Sequence, residues 1–175
     1  MQAEKNTFHK FVSNKAIDEF ANSDRRCIMS KCLEPIADVL RKEHYSGKNM
    51  PFEGQLCLNL DSVEISLAKL EHRNRHNTVD FLVGTGSNWI LPVEAKIAVE
   101  KPRNIEVSEL RGKITYSKSL INSTSADTHT EPKTIVLLNS KNYQQLYREL
   151  RKKLGDTLDV VPMNVEDFYN TIFVK

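Results

Sequence analysis

The chain has 175 residues, of which 27% are charged and 39% hydrophobic, with a formal net charge of +2. That length and balance predict one soluble domain with enough apolar residues for a sizeable core. No run approaches the eighteen or more apolar residues of a membrane helix, and the polar start lacks the apolar centre of a signal peptide. A cytoplasmic protein without a membrane partner is expected.

Cys27, Cys32 and Cys57 have no metal-site spacing, and three thiols leave one over in any disulfide scheme. They read as free thiols in a reducing compartment. The small positive charge permits nucleic-acid binding without demanding it, so any phosphate-binding patch must come from local clustering.

In chain order, Phe8, Phe11, Val12, Ile17 and Phe20 recur at mostly helical spacing and predict a helix over 6–21. Ser23-Asp24 offers an N-cap for a second helix, whose stripe of Cys27, Ile28, Cys32, Leu33, Ile36, Ala37 and Leu40 runs to about His44. Pro35 should kink or break it. This N-terminal helical segment, 6–45, leads to a connector over 47–51. Leu56, Leu58 and Leu60 alternate with polar residues, as do Val63, Ile65 and Leu67. The pattern predicts two strands joined by an Asp61-Ser62 turn. A polar turn over 71–77 follows, carrying His72, Arg73, Arg75 and His76.

The next two segments hold most of the chemistry. In Thr78-Val-Asp-Phe-Leu-Val83, side chains alternate, so Thr78, Asp80 and Leu82 share a face. In Ile90-Leu-Pro-Val-Glu-Ala-Lys-Ile97, Glu94 and Lys96 share one as well. Between them Gly84-Thr-Gly-Ser-Asn88 is rich in residues that tolerate positive φ. A loop closing over 86–88 sets Asp80 directly opposite Glu94, and a register two residues shorter leaves them diagonal neighbours. Facing like charges destabilise a sheet, and partial burial sharpens the repulsion. The pair calls for a proton, the Lys96 ammonium or a hard divalent cation, which carboxylate oxygens suit.

Beyond the hairpin, Val107, Leu110, Ile114, Ser117 and Leu120 or Ile121 mark a helix, followed by a polar loop over 122–132. A buried strand over 134–138, a basic helix over 142–154, a strand over 159–163 and a terminal helix over 165–173 complete the pattern. The cations Arg148, Arg151, Lys152 and Lys153 complement a helix C-terminus and need no nucleic acid to explain them.

Asp80, thirteen intervening residues and then Glu94-Ala95-Lys96 resembles the motif of the PD-(D/E)XK nuclease superfamily. Val79 stands where the motif often has Pro, and Gly112 occupies the Gln position of one branch's Gln-x-x-x-Tyr signature. The resemblance implies an α/β (α+β) fold with a restriction endonuclease-like core, in which a central mixed sheet with an antiparallel meander is flanked by helices. The resemblance in element order covers residues 23–163, and the domain expected is a single nuclease-like one over residues 1–175. It further implies a Mg²⁺- or Mn²⁺-dependent nuclease, with Asp80, Glu94 and the Ala95 carbonyl as metal ligands and Lys96 orienting the attacking water. Glu34, placed mid-helix, is the expected third acid, with Glu43, Glu53 and Glu64 as alternatives. His44 could resemble a metal-ligating histidine of viral cap-snatching nucleases.

Arg73, Arg75, Lys113 and Tyr116 are candidates for nucleic-acid contact, with DNA favoured over RNA as partner. A homodimer, or a subunit of a larger defence or processing system, is compatible with the sequence. A catalytically degenerate member of the fold, binding nucleic acid or a protein, is the alternative.

Overall fold

A computed structural model of the chain describes residues 12–47, 52–155 and 159–173. The first half of the expected 6–21 helix and most of the 47–51 connector lie outside them. The described residues form an α/β fold, a mixed seven-stranded open sheet with six α-helices.

Pro35 decides the architecture of the first third. A proline disfavours helix at the residue before it, and the expected long second helix does not form. The chain instead passes through a short 3₁₀ turn into strand β1 (Leu33–Pro35). Helix α2 (Ile36–Lys42) then starts directly after Pro35. Helix α1 (Asn14–Asn22) precedes them, its first turn capped by the Ser13 hydroxyl, which accepts from the Ala16 N–H at 3.1 Å.

The expected 56–67 hairpin is also corrected. Strand β2 (Leu56–Asn59) gives way at once to helix α3 (Leu60–Leu70). The Asn59 side chain caps that helix by accepting from the Ser62 N–H at 2.9 Å. Leu60, Val63, Glu64, Leu67 and Ala68 are buried, which is the stripe of a helix. The alternating Val63, Ile65 and Leu67 resemble a strand only because helix and strand periods coincide over so short a run.

Strands β3 (Phe81–Thr85) and β4 (Trp89–Lys96) form the expected hairpin, with Gly86 at φ 58° in its turn. Helix α4 (Val107–Thr124) follows, then β5 (His129–Thr130), β6 (Thr134–Leu138), α5 (Tyr143–Leu154), β7 (Val160–Met163) and α6 (Val165–Ile172). The strand order is β1-β2-β3-β4-β6-β7, antiparallel from β1 to β4 and parallel from β4 onward, with β5 pairing briefly beside the start of β4. Four strands, β1 to β4, pair antiparallel, but β1 takes the place of the expected strand at 63–67, and α2 and α3 interrupt the meander that was expected.

Both faces of the sheet are covered. Helices α1, α3, α4 and α5 pack on the face carrying Leu58, Leu82, Ile90, Val136 and Leu138. Helices α2 and α6 pack on the face carrying Phe81, Val83, Leu91, Val93, Ile135 and Leu137. At Gly84, a Cβ would stand 2.5 Å from both the Ser13 carbonyl oxygen and the Ile17 nitrogen, so α1 can lie against β3 only over a glycine. The face shared by Asp80 and Glu94 is therefore apolar along most of its length and polar only at one end.

Candidate functional site

The register places the two acids. Phe81 pairs with Val93 and Thr85 with Trp89, so Asp80, one residue before β3, falls opposite Glu94. Two main-chain contacts fix it there. The Leu60 N–H donates to the Asp80 carbonyl at 3.0 Å, and the Ala95 N–H donates to Asp80 Oδ2 at 2.6 Å. Strand β3 thus meets the start of α3 and the end of β4 at one point, and the Asp80 carboxylate is held against the second strand.

Glu94 is fully buried. Its Oε1 accepts from Lys96 Nζ at 2.9 Å and from Lys113 Nζ at 2.8 Å. Lys113 comes from α4, which crosses this face, and also lies 3.9 Å from Glu109 one turn earlier. Glu94 Oε2 has no hydrogen-bond partner among the described residues. A buried acceptor without a donor is costly, and this one sits on the carboxylate that faces Asp80.

The electrostatics follow from that crowding. Burial, then the Glu94 charge, pushes the Asp80 carboxyl up to about 8, against the pull of the Ala95 N–H and Lys113. Lys113 loses some basicity to burial, but Glu94 more than restores it and holds the ammonium above its ordinary value. Near neutral pH the metal-free site therefore relieves its like-charge pair with a proton on Asp80 and two lysines on Glu94.

A third acid feels the same field. Glu43, half-buried where α2 ends, is pushed up by burial and then by the Glu94 and Asp61 charges. Its own charge in turn raises Asp80. Helix α2 ends with Glu43 at its C-cap, where His44 turns to φ 67°, close enough for Glu43 to share charge effects with Asp80 and Glu94. Glu34 is not mid-helix but in edge strand β1, where its carboxylate accepts from Lys42 Nζ at 2.7 Å and from the Asn59 amide. Glu53 is exposed. His44 follows Glu43 at φ 67° and lines a small cavity with Tyr45, Ser140, Lys141 and Glu166.

Glu64 is used differently. Fully buried on α3, it receives a forked Arg73 guanidinium, the Tyr116 hydroxyl at 3.0 Å and the His76 N–H at 2.7 Å. Burial alone would raise its carboxyl, but these donors hold it below its ordinary value. Arg73 and Tyr116, both candidates for nucleic-acid contact, spend their polar atoms on this cluster. Arg75 and Lys113 do not join it. They line a cavity of about 320 Å³ with Asp61, His76, Asn77 and Thr78. His72 is exposed at φ 51° just past α3.

The donor set fits a hard divalent ion in kind. Asp80 and Glu94 face each other, one Glu94 oxygen is unclaimed, and Ala95 stands between Glu94 and Lys96 on β4. Among the described residues no group of three or more His, Cys, Asp or Glu is gathered closely enough to hold a metal alone. Mg²⁺ commonly takes only one or two protein carboxylates and keeps several waters, so two acids and a main-chain carbonyl suffice. No described helix is long and apolar enough to cross a membrane. Comparison of the chain with family models, curated proteins and solved structures finds no match in any of the three.

Proposed function

We propose that the chain is a divalent-metal-dependent phosphodiesterase acting on nucleic acid, a PD-(D/E)XK nuclease with a restriction endonuclease-like core. The observation that carries this reading is Glu94, a fully buried carboxylate with one oxygen held by two lysines, the other unclaimed, and Asp80 across the strand pair. Asp80, Glu94 and the Ala95 carbonyl would hold Mg²⁺ or Mn²⁺, while Glu43, in place of Glu34, adds a third negative charge from outside that ligand set. When bound, such an ion polarises a phosphate and makes water more acidic.

The rest belongs to the chain. Lys96 orients the attacking water and offsets negative charge that grows on the phosphorus-bound oxygens. Lys113 adds a second cation on the same side, 2.8 Å from Glu94 Oε1. DNA is the favoured substrate and RNA the second.

One observation favours a different reading. Two ammoniums already neutralise Glu94, as they would in a non-catalytic member of the fold that binds nucleic acid or a protein partner. Incubation of plasmid, single-stranded DNA and RNA with Mg²⁺ or Mn²⁺ separates the two. Cleavage that Asp80→Ala removes is the expected result. A protein that cleaves none of the three, and shows no Mn²⁺ heat that Asp80→Ala abolishes, is not a nuclease.

A further inference from the structure

The cavity beside Lys113 has no part in holding the metal, yet it opens next to the acids and is formed by a pinned loop. Three contacts hold the 71–79 segment. Arg73 forks onto Glu64, the His76 N–H donates to Glu64 Oε1 at 2.7 Å, and the Val79 N–H donates to the buried Ser117 hydroxyl at 3.0 Å. Between these anchors Asn74, Arg75, His76 and Asn77 face outward, and only Thr78 is buried. Arg75 and His76 are exposed, while Thr78 Oγ1 donates to Asp61 Oδ1 at 3.1 Å, and Arg75 lies 3.9 Å from the same oxygen. The His76 ring lies on Tyr116 with centroids 4.2 Å apart and planes 30° from parallel. The Tyr116 hydroxyl is itself fixed by Glu64 and Arg73.

We infer that this cavity is a subsite for one unpaired nucleotide next to the scissile phosphate, and that it directs the site toward single-stranded or unwound nucleic acid. The inference rests on the phosphodiesterase reading above and adds to it a preference for strand state. A planar ring backed by a second ring is a stacking platform for any nucleobase, whatever its sequence. Arg75 supplies a phosphate-binding fork and Lys113 a point charge shared with the metal site. Asp61 and Asn77 offer acceptors and donors to a base edge. A volume of about 320 Å³ is near the small end of ligand cavities. It is of a size for one base with its sugar, and a base must leave its own stack to lie on the His76 ring.

The loop is preorganised by buried contacts that do not involve the His76 ring, so His76→Ala removes the platform and keeps the N–H that Glu64 uses. Arg75→Ala removes an exposed ion pair of little structural value. The test compares single-stranded DNA and RNA oligonucleotides with their duplexes, in Mn²⁺, for the wild type and these two variants. Single strands should show kcat/KM about tenfold above duplex, and His76→Ala should lower the single-strand value by about tenfold, mainly through KM. Melting temperature and Mn²⁺ affinity should stay at wild-type values. Equal cleavage of duplex and single strand, or an unaffected His76→Ala, overturns the subsite while leaving the nuclease reading in place.

If the wild type cleaves no substrate, the nuclease reading fails and the subsite is decided by fluorescence anisotropy with the same labelled single strand. Binding that His76→Ala weakens upholds the subsite, and binding that is absent or unchanged overturns it.

Discussion

Two fully buried glutamates, Glu64 and Glu94, sit on the same face of the sheet and are treated in opposite ways. Glu64 has donors on both oxygens: a guanidinium fork, a phenol and a main-chain N–H. Glu94 has two ammoniums on one oxygen and nothing on the other, and a second carboxylate across the strand pair. A buried charge with every lone pair answered is structure, because any change leaves its partners stranded. A buried charge left half-answered beside a like charge is held at a cost, and it can recover that cost by binding a cation. Residue type does not separate the two glutamates; the count of donors on each oxygen does.

The largest expected effect falls on the Glu94 side. Asp80→Ala, Glu94→Ala and Lys96→Ala should each lower Mn²⁺-dependent cleavage by about a thousandfold or more, since each removes charge stabilisation at the reacting phosphate. Rates from single-turnover assays on a labelled oligonucleotide would check this, with circular dichroism to show an intact fold. If Glu64→Gln abolished cleavage as fully while these three did not, the assignment of roles to the two glutamates would be reversed.

Next in size is the stability of the Glu64 cluster. Arg73→Ala leaves a buried carboxylate with only a phenol and one N–H, and breaking a buried pair from one side is strongly destabilising. A fall in melting temperature of roughly 10 °C is expected. A change at the other glutamate, Glu94→Gln in the metal-free protein, should lower the melting temperature by less, because the amide oxygen still accepts from the two lysines and the charge that Asp80 faces is gone. Scanning calorimetry of both variants without added metal compares them directly.

Proton linkage gives the third. The Asp80 carboxyl is pushed up to about 8 from an ordinary value of 3.8. Below about pH 4 both folded and unfolded chains hold its proton, and this contribution to stability is fully present. Between those values only the folded state holds it, so stability falls as pH rises and the contribution is lost above about 8. The limiting slope is about 1.4 kcal/mol per pH unit for one proton. In EDTA, Asp80→Asn should flatten that decline, and the gap between variant and wild type should widen toward pH 8. Saturating Mn²⁺ should restore wild-type stability most at the alkaline end, where no proton competes for the carboxylate. Parallel pH profiles of the two proteins would show the idea to be wrong.

These residues also show how much could be read from the chain. The shared face of Asp80 and Glu94 was legible from alternation. The glycine-bearing turn narrowed their register to two choices, of which the structure has the direct one. The strand and helix order after Lys96 was legible where a run was long enough to show its type. Strand β5 was not, because its two residues lie inside the polar stretch expected as a loop over 122–132. The 56–70 segment was not, because Leu60, Val63 and Leu67 suit a helix while Val63, Ile65 and Leu67 suit a strand. The Asn59 cap settled it, yet Asn before Leu-Asp-Ser is a weak signal beside two clean alternations. The end of the helix near His44 was legible, and with it the place of Glu43. Glu34 was not, because the break at Pro35 puts the residues before it in a strand and not in a helix. The division of labour between Glu64 and Glu94 was beyond local pattern altogether. Arg73, His76 and Tyr116 reach Glu64 from a loop and a helix up to 52 residues away.

The smallest effect tests the Glu64 side most finely. Tyr116→Phe removes one hydroxyl that donates to Glu64 Oε2 at 3.0 Å, while Arg73 Nη2 still reaches that oxygen at 3.2 Å. No buried oxygen is left without a donor, so the loss should be about 1 kcal/mol, the net worth of an ordinary hydrogen bond. The ring that backs His76 is retained, so oligonucleotide binding should change little, and Mn²⁺ affinity not at all, since Glu94 and Asp80 are untouched. Urea unfolding beside Mn²⁺ calorimetry separates these readouts. A marked loss of Mn²⁺ affinity would mean that the two glutamates are coupled through α4, which carries both Lys113 and Tyr116, and that Glu64 helps tune the metal site as well as holding the loop.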